Sequence, residues 1–403
     1  MKNKFEDWVN WLNWNWCISR DRFYWVPIPI WHCNDCNEIL LPEKTELPID
    51  TTETSPNNKK CHNCSWSNFR WEKQVLDTWM TSSISTKIAS NLIKKEISEF
   101  SLRPQAFEII RTWLFYSVVK SYYNNWSKPF KDIMISGHWL DKKWIKISKR
   151  LGNYRNPNDI IDEYSADALR YWACWANLWE NIRYNEDEIR KWSRTITKLW
   201  NASKFCFLFL NKSNPTKLST WWLEDIDKWI LDKLMVTIKE STDYFEKYQY
   251  SRVKKIIDTF FWNDFCDYYL ELVKYRLYQE ENSLWVKQTL FYILENTLKL
   301  YAPILPFITE EIWSFYFKKF SDKNSIHINE YPEINDTFIW NNNDSIKFEN
   351  VISEIWKIRK FKTELWISIW KEIESYKLKN NIEEDYYDFI KKACRVSNIK
   401  TEF

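Results

Sequence analysis

The sequence predicts two architectures in succession: an α/β region interrupted by a four-cysteine insertion, then an all-α helical bundle. Three observations carry this. Short apolar runs bounded by loop-forming residues fill the first part. Two Cys-x-x-Cys pairs, Cys33/Cys36 and Cys61/Cys64, flank a stretch rich in Pro, Thr and Asn. From about Thr195 long amphipathic stretches separated by short polar breaks take over. A chain of 403 residues is long enough for two or three domains with their own cores. Its 58 basic and 55 acidic residues nearly balance, which excludes a polybasic arm as the main grip on a polyanion. No apolar run approaches the roughly 18 residues of a membrane span. The charged start, Met1 to Asp7, lacks a signal-peptide core, so the cytoplasm is the expected compartment.

Taken in order, residues 1–32 are aromatic and mixed and end in the apolar Val26-Pro-Ile-Pro-Ile-Trp31. Residues 33–72 hold the cysteine pairs, with a loop from Pro42 to Asn58. Gln74 to Ile84 returns to a compact pattern. Over Arg103 to Tyr123 the apolar residues Phe107, Ile110, Trp113, Leu114, Val118 and Tyr122 recur at helical spacing. Ile133 to Ser136 reads as a strand, and Asp141 to Ile145 as a polar hairpin-like loop. Pro157 to Tyr164 opens a helix expected to continue through Ala166 to Trp172. Helices then follow over 226–248, 250–277, 285–300 and 306–320. A last one, over 346–364, leads into a charged tail.

Each Cys-x-x-Cys places two thiolates on one tight turn, and two such turns supply the four soft ligands of a tetrahedral Zn²⁺. Cys33, Cys36, Cys61 and Cys64 are therefore candidate metal ligands. Four protein ligands leave no open coordination position, so the metal is expected to be structural. His62, inside the second pair, is expected to face solvent.

One number is abnormal. The chain has 28 Trp and 2 Gly, whereas glycine normally makes up about 7% of residues. Glycine is the default wherever φ must be positive, so such a chain has no ordinary way to build its turns. The joint total of the two types is ordinary. The simplest explanation is a gene in which UGA encodes glycine, read as though UGA encoded tryptophan. The competing reading is a truly Trp-rich binding protein.

Lys146-Ile-Ser-Lys149 places two lysines three apart on a loop, where both can reach a polyphosphate and stabilise charge that develops as pyrophosphate leaves. Gly137-His-Trp-Leu-Asp141 precedes it. Leu151-Gly-Asn153 and then Asp159 to Trp172 follow it. In this context the sequence resembles the class I aminoacyl-tRNA synthetases of the valyl, isoleucyl and leucyl group, whose signature loop is KMSKS, followed by LGN and a GADALR helix. The resemblance covers nearly the whole chain. Trp16 to Arg22 looks like the WCISRQR segment where the chain returns from the editing insertion. Leu76-Asp-Thr-Trp-Met80 with Ser82 and Ser83 looks like the DTW(F/M)xSS element of the amino-acid pocket. Arg103 to Trp113 resembles the RPQAHEIIRTW of one branch of valyl enzymes, with Phe107 departing from the histidine. Arg194 to Asn201 resembles the entry to an anticodon-binding bundle, and Leu300 to Trp313 its LAPxxPxxTEE(I/L)W stretch.

The resemblance implies a partial Rossmann-type catalytic core with a zinc-knuckle insertion, followed by an all-α anticodon-binding helical bundle. The implied segments are 1–32 (core returning from the editing insertion), 33–72 (zinc knuckles), 73–193 (second half of the core), 194–345 (anticodon-binding bundle) and 346–403 (a helical and charged end). The implied reaction joins valine to its tRNA through an aminoacyl-adenylate, using ATP and Mg²⁺ beside the structural Zn²⁺. Lys146 and Lys149 would contact the ATP phosphates, Ser148 would shape the loop, and Gly137 and His138 would lie where the nucleotide approaches. Asp77, Trp79 and Ile109 would serve the amino-acid pocket. Partners would be tRNA(Val), valine, ATP and a separately encoded N-terminal half. None of His32, His62, His138 and His327 lies in the family's HIGH motif, so the chain alone is expected to make no adenylate. An isoleucyl or leucyl enzyme, or a non-catalytic RNA-binding module derived from a synthetase, are the alternatives. The resemblance also places glycine at Trp11, Trp25, Trp71, Trp126, Trp139, Trp144, Trp175, Trp179, Trp192, Trp366 and Trp370. It places true tryptophan at Trp14, Trp16, Trp31, Trp79, Trp113, Trp172, Trp200 and Trp262.

Overall fold

A computed structural model describes residues 2–11, 15–22, 25–56, 58–210, 218, 223–278 and 283–401. Of the positions singled out above, Trp14 lies outside them. The chain divides into two compact units, Met1–Gly137 and His138–Phe403.

In the first unit a small antiparallel sheet, ordered Ile39–Leu40, Trp31–Cys33, Phe69–Trp71, carries the first cysteine at the end of its central strand. A parallel pair, Phe100–Ala106 with Phe130–Ser136, is joined by a helical crossover. The helical spacing expected from Arg103 starts later than that: 103–106 is strand, and the helix proper runs Phe115–Asn125 after a wide turn at Ile110–Leu114. Pro104 explains the difference. It has no N–H to donate within a helix, and it holds Arg103 extended. Arg103 and Gln105 then point inward and Pro104 outward, the two-residue period of a strand.

In the second unit Trp139–Leu140 pairs in parallel with Ile182–Arg183, and Leu140 bridges Lys146 across a hairpin. The single helix expected over 157–172 is two helices, Pro157–Tyr164 and Ala166–Ala173. Ser165 separates them at φ 89° and caps the second by accepting the Ala168 N–H on its hydroxyl. A helix of 25 residues, Glu186–Leu210, then enters the bundle built by Asp225–Phe245, Tyr250–Leu277, Ser283–Tyr301 and Pro306–Tyr316. Trp229, Trp313, Tyr301, Phe260 and Phe261 lie fully inside its core.

The charged tail has more order than expected. Ile373–Lys377 and Val396–Lys400 form a parallel pair around the helix Tyr387–Cys394. Lys362, fully buried, donates to the carbonyl oxygens of Lys371 (2.6 Å) and Cys394 and so pins this unit to the helix Asn342–Glu364. A charge-rich composition concealed the fold because the charges lie on its outer faces.

Two groups of tryptophans stand out among the described residues. Trp126, Trp144, Trp179 and Trp366 have φ of 54°, 65°, 71° and 58°, the left-handed region that glycine occupies freely. The resemblance places glycine at all four. Trp366 is 97% exposed, Trp126 75% and Trp144 64%, so their rings gain little from packing. Trp31 and Trp172, assigned as true tryptophans, are fully buried. Trp71, Trp139 and Trp192 sit in regular strand or helix without positive φ, so backbone geometry does not single them out.

A left-handed non-glycine residue costs about 1–2 kcal/mol. Trp144→Gly and Trp366→Gly are each expected to stabilise the chain by about 1 kcal/mol. Trp172→Gly is expected to destabilise it by at least about 3–5 kcal/mol. Urea unfolding of the three variants checks this; destabilisation by all three alike would remove the case for glycine at the turns.

Candidate functional site

The two cysteine turns share one geometry. In the first, the Asn37 N–H returns to the Cys33 carbonyl at 3.0 Å, and Asn37 has φ 62°. In the second, the Ser65 N–H returns to the Cys61 carbonyl at 2.9 Å, and Ser65 has φ 64°. Each turn thus closes on a left-handed residue right after its second cysteine. The Cys33 and Cys64 sulfurs lie 3.5 Å apart, those of Cys36 and Cys61 3.4 Å apart, and all four fall within 4.8 Å of one another. Four thiolates about 2.3 Å from a central ion would lie about 3.8 Å apart in a tetrahedron, so the cluster has the size a tetrahedral ion requires. Backbone N–H groups of Cys64 and Asn63 pull the Cys61 thiol down to about 7. Although the Trp66 amide favours its thiolate, burial and the neighbouring thiols push Cys64 up to about 12. His62 is exposed.

Elsewhere in the same unit Asp77, 3% exposed, caps the short helix Thr78–Ser82. One carboxylate oxygen accepts the Trp79 N–H at 3.2 Å, and the other pairs with Arg20 at 3.0 Å. Both oxygens therefore have protein partners. Trp79 is half-buried on that helix, which packs against the turn Ile110–Leu114 just beyond the half-buried Ile109. Trp113 donates its indole N–H to the Ser82 carbonyl at 3.0 Å and fixes this contact. Trp16 stacks on Tyr116 at 3.3 Å between ring centroids, and burial followed by the Asp77 charge raises the Tyr116 phenol. Gly137 directly follows the strand Phe130–Ser136.

In the second unit His138 is held through its backbone: its N–H donates to the Asn181 side chain at 2.8 Å, and its carbonyl accepts the Ile182 N–H at 2.9 Å. The lysine loop follows the hairpin. Lys146 and Lys149 are exposed, whereas Ile147 and Ser148 between them are half-buried, Ile147 against the cluster that holds Trp172. Ser148 accepts the Leu151 N–H on its hydroxyl at 3.3 Å and caps the turn Lys149–Leu151. Gly152 ends that turn at φ 68°, where an added Cβ would meet nothing but would be strained. The Lys149 ammonium lies 5.3 Å from the centre of the Tyr154 ring.

Several residues that hold the site carry no sequence signal of their partners. Asn153 and Asp141 hold the loop by side-chain bonds described below. Asp167, 3% exposed, accepts the Phe307 and Ile308 N–H groups at 3.3 and 2.7 Å and so caps the helix Pro306–Tyr316. Arg170 donates to the Pro303 carbonyl at 3.0 Å. The helix that follows the lysine loop thus grips the helical bundle at two points. Their place in the Ala166-Asp-Ala-Leu-Arg170 segment was a visible signal; their partners, more than 130 residues away, were not.

Residues 1–185 match the family described as tRNA synthetases class I (I, L, M and V), and residues 227–386 that described as the anticodon-binding domain of tRNA ligase. Among curated relatives, the valine–tRNA ligase of Picrophilus torridus is 36% identical over 405 residues, 99% of this chain and 51% of the relative. That of Ehrlichia ruminantium (strain Gardel) is 37% identical over 414 residues, 99% of this chain and 49% of the relative. That of Wolbachia pipientis wMel is 38% identical over 402 residues, covering 96% and 45%. The chain spans about half the length of the curated relatives it matches. A solved ternary complex, Agrobacterium radiobacter K84 agnB2 LeuRS–tRNA–LeuAMS, shares the fold with a TM-score of 0.65 at 20% identity, covering 81% of this chain and 43% of that one. Among the described residues no helix is long and apolar enough to cross a membrane. The paired cysteine turns, the two-lysine loop with its capped turn, and two matched segments in the same order as the two architectures lead to one conclusion: residues 1–185 belong to the class I tRNA synthetases of the I, L, M and V group, and residues 227–386 to the anticodon-binding domain of tRNA ligases.

Proposed function

We propose that this chain supplies the lysine-loop part of the catalytic core and the anticodon-binding part of a cytoplasmic valine–tRNA ligase. The remaining length of its relatives, joined to it or encoded as a separate N-terminal half, completes the enzyme. One observation carries this reading: the Lys146-Ile-Ser-Lys149 loop is built with both lysines outward on a chain aligned almost end to end with valine–tRNA ligases.

In the first step the valine carboxylate attacks the α-phosphorus of ATP, forming the acyl–phosphate bond as the bond to pyrophosphate breaks. In the second a ribose hydroxyl at the tRNA 3′ end attacks the acyl carbon and AMP leaves. Negative charge builds on the departing phosphates, and the Lys146 and Lys149 ammonium groups offset it. Ser148 sets the turn between them. Gly137 and His138 serve the approach of the nucleotide, and Mg²⁺ carried with ATP would offset part of the charge on its phosphates. Trp79 and Ile109 line a small pocket for a β-branched side chain, and Asp77 holds the helix that carries Trp79. Such a pocket discriminates by only about 1–3 kcal/mol per methylene. Cys33, Cys36, Cys61 and Cys64 would hold Zn²⁺, whose part would be structural because all four ligands come from the protein. The segment 194–345 receives the anticodon stem-loop of tRNA(Val), where unpaired bases can be read on their edges.

The test is amino-acid-dependent ATP–pyrophosphate exchange by the complete enzyme, with valine, isoleucine and leucine in parallel. Valine is expected to be preferred, and Lys149→Ala to slow exchange by about 100- to 1,000-fold. Preference for leucine or isoleucine would replace the substrate, and full activity of the variant would remove the loop from the mechanism.

A further inference from the structure

We infer that Asn153 and Asp141 are positioning residues for the lysine loop: Asn153 fixes the backbone between Lys146 and Lys149, and Asp141 fixes Asn153. The geometry stands alone; what the lysines hold rests on the proposed function.

Asn153 makes three bonds with one side chain. Its Oδ1 accepts the Ser148 N–H at 2.9 Å. Its Nδ2 donates to the Lys146 carbonyl at 3.2 Å and to the Asp141 carboxylate at 3.0 Å. The amide can adopt only this orientation, because a flipped group would set its donors against the Ser148 N–H and its oxygen against two acceptors. The two backbone groups it holds flank Ile147, so the segment between the lysines is tied at both ends.

Asp141 is itself built in. Its other oxygen accepts the N–H groups of Lys143 and Ile145 at 2.8 and 2.9 Å, closing the hairpin that leads into the loop. The Asn153 amide, followed by the Ile145 and Lys143 N–H groups, holds its carboxyl below the usual range, so it is ionised at neutral pH. The loop has little apolar support beyond Ile147: Lys146, Lys149, Arg150 and Leu151 are exposed. Without Asn153, two long side chains would have to be ordered by the ligand on binding, and that entropy would weaken its affinity.

The test uses the full chain and MgATP as probe. Asn153→Ala is expected to weaken ATP binding about tenfold, and Asn153→Asp, which sets two carboxylates face to face, about 100-fold. Asp141→Asn is expected to weaken it too, because two amide donors then meet. The swap Asp141→Asn/Asn153→Asp restores the side-chain bond and the acceptor for the Ser148 N–H, and is expected to recover most of the loss. In a Lys146→Ala/Lys149→Ala background Asn153→Ala is expected to have no further effect, since its action passes through the lysines. Hydrogen exchange at the Ser148 amide is expected to speed up in the single variants and slow again in the swap.

Unchanged affinity and exchange in folded Asn153→Ala, or a swap no better than Asn153→Asp, would overturn the inference. If the unsubstituted chain binds no MgATP, the lysines hold the nucleotide only in the complete enzyme, where ATP–pyrophosphate exchange by Lys149→Ala tests them. Ser148 exchange then decides the positioning claim alone, and an unchanged rate in Asn153→Ala overturns it.

Discussion

Stripping the metal proposed for the Cys33–Cys36–Cys61–Cys64 cluster is expected to unfold the segment 31–71 while the helical bundle stays intact. The sheet there is only three short strands, too small to hold itself together. Its strands are joined by the two cysteine turns and by loops, with side-chain bonds added by Thr51, His32–Glu72, Trp31 to the Thr54 carbonyl, Asn34–Asn68, Lys59–Glu46 and Arg70. Structural zinc sites contribute about 10–16 kcal/mol of apparent binding free energy, far more than these bonds supply. Metal analysis is expected to give one zinc per chain. Hydrogen exchange after chelation is expected to lose protection at the Cys33 and Cys61 amides, which otherwise donate to the Glu38 and Trp66 carbonyls at 2.9 and 2.8 Å. Cys36→Ser should give the same pattern without a chelator. A chelated, metal-free chain with unchanged protection across 31–71 would rule out a structural role.

The second large effect lies in the bundle. Arg276, 3% exposed, pairs with the fully buried Asp227 at 2.8 Å and with Glu224 at 3.0 Å, and Asp227 also accepts the Tyr269 hydroxyl at 2.7 Å. Asp227 further accepts the Glu224 N–H at the start of the helix Asp225–Phe245, so one carboxylate closes a cap and neutralises a buried cation. Burial followed by the Asp227 charge drives the Tyr269 phenol far above its usual range, so it stays a donor. Arg276→Met leaves Asp227 charged, buried and unpaired, and is expected to cost about 3–5 kcal/mol. The double variant Arg276→Met/Asp227→Leu is expected to regain most of this, because the desolvated charge is gone as well. Urea midpoints of the singles and the double measure it; a double variant as unstable as the sum of the singles would show that the pair is not coupled.

What could be read from the sequence followed from how local the controlling physics is. The cysteine pairs were legible because a metal turn is written in four consecutive residues. The bundle helices were legible because each long amphipathic stretch specifies its own period: 250–277 is helical throughout, with a wide turn over Phe260–Tyr269 that the pattern did not reveal. Pro104 disguised a strand within an apparently helical spacing, and Ser165 broke a helix with no proline or glycine to announce it. The parallel C-terminal pair depends on partners more than 20 residues apart. The loop lysines stood out by motif, whereas Asn153 became interpretable only once Asp141 and Ser148 were beside it.

The left-handed tryptophans also bear on how this protein would look to light. A gene built from the amino-acid sequence fixes indoles at Trp126, Trp144 and Trp366, all largely in water. Their emission would be red-shifted and readily quenched by iodide, and it would overlay the blue emission of buried Trp31, Trp172, Trp229 and Trp313. A cell that inserts glycine at those turns makes a protein without these three water-exposed emitters, so a larger share of its fluorescence would come from the buried indoles.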